Sequence, residues 1–257
     1  MRADAACDSY VICATPRTGS TLLCDLLAAT GAAGDPDSFF MTNVDPHWAE
    51  CWGLPPDDPA LGRDHCAAYL DAAIAAGRGK TPVFGLRLMH ENLGDLTGMI
   101  ERVHPGLPSD RARFERVFGR VLFIHLARAD KLAQAVSMVR AEQTGLWHAA
   151  PDGTELERLS PPREPHYDFA HIATRLDELA ARDAAWTGWF TREGIVPLTI
   201  AYESLAEDPA GTLARVCHRL GVAAPSRDAV KPGVARLADA ISRDWMDRFR
   251  ADASNGR

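Results

Sequence analysis

Apolar residues fall in short continuous runs separated by stretches of helical spacing, and that alternation sets the first expectation of fold. Tyr10-Val11-Ile12-Cys13-Ala14 is short, apolar and β-prone; Pro16 and Gly19 interrupt it, and Leu22, Leu23, Leu26 and Leu27 then recur helically across Ser20 to Ala29. The pattern predicts a strand, a tight loop and a helix. A second β-prone run covers Val83 to Met89, and Val121 to Leu126 is the most continuously apolar segment of the chain. Runs without polar alternation suit a parallel sheet covered on both faces.

Asp130 to Gln143 reads as a helix, with Asp130 as its N-cap and Gly145 as its stop. Asp168 to Phe190 is again helical, with Ile172, Leu176 and Leu179 on one face and Trp186 and Trp189 assigned to the core. Val196 to Ala201 is a fourth strand, Pro209 to Leu220 a helix opened by proline, and Ala235 to Phe249 a closing helix. Strands alternating with helices predict one three-layer α/β domain over residues 1–257, with a mostly parallel central sheet. Two stretches interrupt it: an irregular insertion at about 39–61, rich in Pro and Trp, and a lid-like loop at about 145–166.

Composition narrows the function. With 46% hydrophobic residues the chain can bury a proper core without staples. A formal charge of −7 argues against a nucleic-acid partner, so any anionic ligand must be held by a local cluster of donors. The six cysteines lack C-x-x-C spacing and read as reduced thiols rather than a metal site. Met1 to Ser9 has no apolar signal core and no run approaches spanning length; a cytoplasmic protein without integral membrane association is expected.

The candidate chemistry starts at Ala14 to Thr21, A-T-P-R-T-G-S-T, where a loop leaves a strand and enters a helix. Backbone N–H groups and the positive end of the helix can converge there on an oxyanion. Arg17 adds a charge able to bind two oxygens, and Thr18, Gly19, Ser20 and Thr21 complete the cradle. A triphosphatase loop would read G-x-x-x-x-G-K-[ST], but Ser20 stands at the lysine position, so ATP-driven phosphoryl transfer is disfavoured. The second piece is H-L-A-R-A-D-K-L-A-Q-A-V-S, His125 to Ser137, with Arg128 at the end of the third predicted strand and Ser137 on the following helix. Ligands bind beyond the carboxyl ends of such strands, so both pieces can point into one crevice and suit a nucleotide with separated 5′ and 3′ anionic groups.

Together these segments resemble the PAPS-dependent sulfotransferases, and most closely the bacterial trehalose 2-sulfotransferase family, from about Tyr10 to about Ala251. The anchors are R-T-G-S-T-L-L (Arg17 to Leu23), A-T-G-A-A-G-D-P (Ala29 to Pro36) with Phe39 and Phe40, A-Q-A-V-S (Ala133 to Ser137), W-T-G-W-F-T-R-E (Trp186 to Glu193) and S-R-D-W-M-D-R-F-R (Ser242 to Arg250). The resemblance implies a P-loop-like sulfotransferase fold, 3′-phosphoadenosine 5′-phosphosulfate (PAPS) as sulfuryl donor, and no metal. Arg17 to Thr21 would hold the 5′-phosphosulfate end, and Arg128 and Ser137 the 3′-phosphate. Dimers occur in the family, which leaves a homodimer within the expectation.

One departure bears on the acceptor. The family's trehalose enzyme carries a glutamate, its general base, just before the Phe-Phe pair; here D-P-D-S-F-F places Ser38 there. Asp37 is the first candidate for the role, with Asp35, His47 and His90 as alternatives, or the acceptor differs. Phe39, Trp48 and Trp147 are candidates to pack against a sugar or other small-molecule acceptor. The expected activity is in-line sulfuryl transfer from PAPS to a carbohydrate or glycolipid hydroxyl, with Arg17 and Asp37 as catalytic groups. A nucleotide-binding protein without catalysis is the alternative, and a small-molecule kinase a weaker one.

Overall fold

The computed structural model describes residues 7–55, 62–233 and 239–255. The opening residues to 6, positions 56–61 of the predicted insertion and positions 235–238 of the predicted closing helix lie outside the described residues. Four strands, β1 (Ser9–Ala14), β2 (Phe84–Met89), β3 (Val121–Ala127) and β6 (Leu198–Ala201), form a sheet in the order β2-β1-β3-β6. Every pairing in it is parallel. Each connection is therefore a crossover, and helices cover both faces.

The period of two along β1 decides which layer each side chain enters. Val11 and Cys13 pack with α3 (Gly62–Arg78), α4 (Leu93–Val103), α5 (Asp110–Phe118) and the end of α7 (Phe169–Arg192). Tyr10, Ile12 and Ala14 pack with α1 (Ser20–Ala29) and α9 (Pro209–Leu220). A third cluster joins α6 (Lys131–Thr144), α7 and α10 (Ala240–Ser254). Trp186 and Trp189 are buried, as the sequence predicted, and Trp186 Nε1 donates to Ala14 O at 2.9 Å, tying α7 to the end of β1. Truncating Trp186 to alanine would cost about 3–5 kcal/mol.

Several elements differ from the sequence reading. The irregular insertion contains α2 (Pro46–Cys51), one short helix capped by the Asp45 side chain, too brief to show periodicity. The lid-like loop contains a hairpin, β4 (Leu146–Ala149), half-buried, against the more exposed β5 (Glu155–Arg158), and neither strand carries an apolar alternation to reveal it. The fourth sheet strand starts at Leu198, because Val196 is 91% exposed and lies outside the ladder. Helix α6 follows the prediction closely: Asp130 caps it, and Gly145 ends it at φ 73°, where a Cβ would run into Ser160.

Helix α1 leaves β1 toward one side of the sheet and α6 leaves β3 for the other, so the carboxyl ends of β1 and β3 form a fork. In open α/β sheets ligands bind at such a switch point.

Candidate functional site

The loop from β1 to α1 is held from below. Thr18 Oγ1 donates to Thr15 O at 2.8 Å, and Gln134 Nε2, from α6, donates to Thr15 Oγ1 at 3.0 Å and to Pro16 O at 2.6 Å. Arg17 has φ 66°, the one positive φ at a non-glycine among the described residues. Such a conformation costs roughly 1–3 kcal/mol and persists where surrounding contacts impose it. Gly19, at φ 78°, is the N-cap of α1, and a Cβ there would sit 2.8 Å from the Tyr202 ring. With glycine at that position, no side chain caps α1. Helices α6, α7, α9 and α10 each have an Asp side chain on the first turn, and α5 has Ser109. The first-turn N–H groups of α1 are thus left for an external acceptor.

Arg17, Arg128 and Ser137 meet. Arg17 Nε donates to Ser137 Oγ at 3.0 Å and Nη1 to Trp147 O at 2.7 Å, while Arg128 Nη1 donates to Arg17 O at 3.3 Å. Arg128 also lies over the Tyr202 ring, 4.5 Å from its centroid. Burial, with the neighbouring Arg128, pulls Arg17 down to about 10, which leaves it cationic at neutral pH.

Arg87 lies within β2, two residues before its last, and belongs to none of the motifs singled out in the sequence. Its Nε donates to Ser38 Oγ at 2.7 Å, Nη1 to Thr21 Oγ1 at 2.9 Å and Nη2 to Asp37 Oδ1 at 3.1 Å. Arg128 stands just past the end of β3, whereas Arg87 sits inside its strand as the lone charge of an otherwise apolar run, Val83 to Met89. On the hairpin, His148 Nε2 lies 3.1 Å from Thr21 Oγ1 and 3.4 Å from Glu157 Oε2. Burial and then the Arg17 and Arg87 charges hold His148 down to about 4, so its ring is neutral.

These groups border one cavity of about 1030 Å³. Eight arginines line it against four carboxylates, a local inversion of the chain's overall acidic balance. Several are ion-paired, as Arg140 is with Asp239 and Arg175 with Glu142, whereas Arg17 donates to the neutral Ser137 and Trp147 oxygens. Of the predicted site residues, Arg17, Gly19, Ser20, Thr21, Arg128, Ser137 and Trp147 lie on the wall. Thr18 is buried beneath it.

Others stand apart from that wall. Phe39 is 2% exposed inside the core, and Trp48 packs against it, stacks on Trp52 and donates from Nε1 to Ser38 O. Asp37 Oδ1 accepts from Ser38 N at 2.7 Å as well as from Arg87, and its backbone bridges to Leu86. His90 lies edge-on to Trp186 and His47 beside Cys51. Among the described residues no helix is long and apolar enough to cross a membrane, and no group of three or more His, Cys, Asp or Glu is assembled to hold a metal.

Comparison with known proteins gives a consistent set of relatives. A family model described as Stf0 sulphotransferase matches residues 9–252. Trehalose 2-sulfotransferase of Mycobacterium tuberculosis is 32% identical over 267 residues, covering 95% of each chain, and that of Mycolicibacterium smegmatis is 32% identical over 264 residues with the same coverage. Among solved structures, the sulfotransferase domain of the Synechococcus PCC 7002 olefin synthase aligns with TM-score 0.47 at 15% identity, covering 95% of this chain and 86% of that one. A sulfotransferase from Alicyclobacillus acidocaldarius aligns with TM-score 0.40 at 14% identity, covering 97% and 94%.

Proposed function

The chain belongs to the Stf0 sulphotransferase family, and from that premise we propose that it moves a sulfuryl group from PAPS to a carbohydrate hydroxyl, with trehalose the first acceptor to test. The observation that carries the donor assignment is the glycine-capped, open N-terminus of α1 facing Arg17, Arg128 and Ser137 across one arginine-lined cavity. A helix end that no side chain caps fits a 5′ anionic group, and Gly19 is required there because a Cβ would lie 2.8 Å from the Tyr202 ring. PAPS supplies the sulfuryl group on a phosphate leaving group.

The residues of the chain bind and stabilise. Arg17 and the first-turn N–H groups of α1 hold the 5′ end and take up charge on the leaving phosphate oxygen. Arg128 and Ser137 hold the 3′-phosphate. Thr21 and Arg87 lie beside the reacting end, where Arg87 neutralises charge that lysine would handle in an ATP-dependent enzyme. Trp147 on the wall offers an aromatic face to a sugar ring. Trehalose is supported by the names of both relatives; its general base, assigned by resemblance to the position of Ser38, is absent, and Ser38 Oγ is occupied by Arg87 Nε. That last contact favours one other reading, nucleotide binding without transfer.

Two measurements separate them. Calorimetry with the desulfated nucleotide, 3′-phosphoadenosine 5′-phosphate (PAP), is expected to show saturable binding, and ³⁵S-labelled PAPS is expected to label trehalose or another hydroxyl in an acceptor panel. Binding with no labelled product establishes the non-catalytic reading; absence of PAP binding removes the donor assignment.

A further inference from the structure

We propose that His148, carried into the cavity by the β4–β5 hairpin, takes the proton of the acceptor hydroxyl, and that Glu157 across the hairpin holds the resulting imidazolium. The assignment rests on the sulfuryl-transfer reading above. It starts from a deficit: Ser38 is no base near neutral pH, and Asp37 spends Oδ1 on Ser38 N and Arg87 away from the cavity wall. A transferase acting on a hydroxyl still needs a proton acceptor beside the sulfuryl group.

His148 stands where one is needed. Four elements face its ring: Arg17 from the β1–α1 loop, Thr21 from α1, Arg87 from β2 and Glu157 from β5. Arg87 Nη1 donates to Thr21 Oγ1, so the threonine's own O–H is left to donate to Nε2 of the Nδ1–H tautomer. The threonine hydroxyl thus marks the place of an acceptor O–H. When an anion occupies the loop and draws Thr21 and Arg87 to itself, Nε2 is released for the acceptor. In the step, the acceptor oxygen bonds to sulfur as the bridging sulfur–oxygen bond to the 5′-phosphate breaks, its electron pair staying on phosphate. The hydroxyl proton passes to His148 Nε2, beside Glu157 Oε2 at 3.4 Å, and leaves later to water.

The electrostatics make the base conditional on the donor. In the free protein burial, and after it the guanidinium groups of Arg17 and Arg87, keep the ring a weak base. An anionic nucleotide neutralises them, so the proton affinity of His148 rises on binding, and by linkage PAP binds more tightly as the pH falls from about 6.5 toward 4. Turnover behaves oppositely. At saturating PAPS it falls as pH drops through the raised value.

The test uses the full chain. In ¹⁵N-histidine NMR, with His148→Asn for assignment, saturating PAP is expected to raise the proton affinity of His148 roughly tenfold or more. An unchanged titration overturns the proposal and needs no acceptor. In ³⁵S transfer to trehalose or the first active acceptor of the panel, His148→Asn is expected to keep PAP affinity within about threefold, to lower kcat by roughly 100-fold and to lose the acid limb of its pH profile. Glu157→Gln is expected to keep the limb and shift it to lower pH. Retained turnover, or an acid limb that survives in His148→Asn, sinks the assignment while leaving the sulfotransferase reading intact. Failure of the unaltered protein to bind PAP sinks both.

Discussion

Helices α1 and α6 follow adjacent parallel strands and start at the same edge of the sheet, yet their N-termini have opposite fates. That of α6 is filled by the protein: Asp130 accepts from Ala133 N at 2.9 Å, and Glu203 accepts from Ala129 N and Asp130 N at 3.1 and 3.2 Å. Burial of Glu203 would raise its carboxyl, but those N–H groups, with Arg128 nearby, hold it below the usual range. That of α1 has glycine where α6 has aspartate. Each helix dipole favours a negative charge at this end, worth about 0.3–1 kcal/mol in the exposed case and more when partly buried. In α6 that charge is internal; in α1 the protein supplies none from the N-cap. Helices α4 and α8 (Tyr202–Glu207) also start without a side-chain cap. What sets α1 apart is that its uncapped end opens beside Arg17 and Arg128 on the cavity wall, which fits an anion in a protein of net charge −7.

The sharpest way to break this contrast is to remove the charge that frames the open end. Arg17→Ala is expected to weaken PAP by 10- to 100-fold, the loss of roughly 1.5–3 kcal/mol of charge-assisted hydrogen bonding, and Arg17→Lys is expected to recover little of it. Calorimetry decides; full affinity in Arg17→Ala would mean that the open end is not the anion site. Filling the end is the next largest change. Gly19→Ala puts a Cβ 2.8 Å from the Tyr202 ring and demands φ 78° of alanine, so about 1 kcal/mol of stability and about tenfold in PAP affinity should be lost together. Ser137→Ala removes a neutral hydroxyl that both fixes Arg17 and is assigned to the 3′-phosphate beside the charged Arg128, and should cost only about threefold to tenfold.

The sequence made the open end legible because its parts are local. A β-prone run, a donor-rich loop with glycine and a leucine-spaced helix are contiguous, and backbone geometry follows from them with little tertiary help. Arg128 and Ser137 were accessible by the same logic applied to the next strand and helix. Arg87 escapes that logic because it lies inside its strand, where its one signal is a lone charge in an apolar run. His148 and Glu157 were hidden for a different reason. They sit on two short strands paired only with each other, and the place of that hairpin in the cavity depends on Arg17 reaching Trp147 and Thr21 reaching His148 across more than a hundred residues of chain. Phe39 and Trp48 show the converse: aromatic residues in a Pro-rich stretch suggest a binding face, but the aromatic cluster with Trp52 and Tyr69 draws them into the core.

The closed end supplies the smallest and most discriminating effect. Asp130→Ala leaves Ala133 N without its side-chain acceptor, which should cost about 1 kcal/mol of stability, readable as a lowered midpoint in denaturant. PAP affinity should stay within about twofold, because Glu203 continues to occupy the N–H groups of Ala129 and Asp130 and no position for an anion opens. Should Asp130→Ala instead bind PAP several-fold more tightly, the α6 terminus would be an anion site held shut by its own cap. The 3′-phosphate would then belong on backbone N–H groups of α6, and the asymmetry between the two helix ends would be one of degree, set by how strongly each cap competes with the nucleotide.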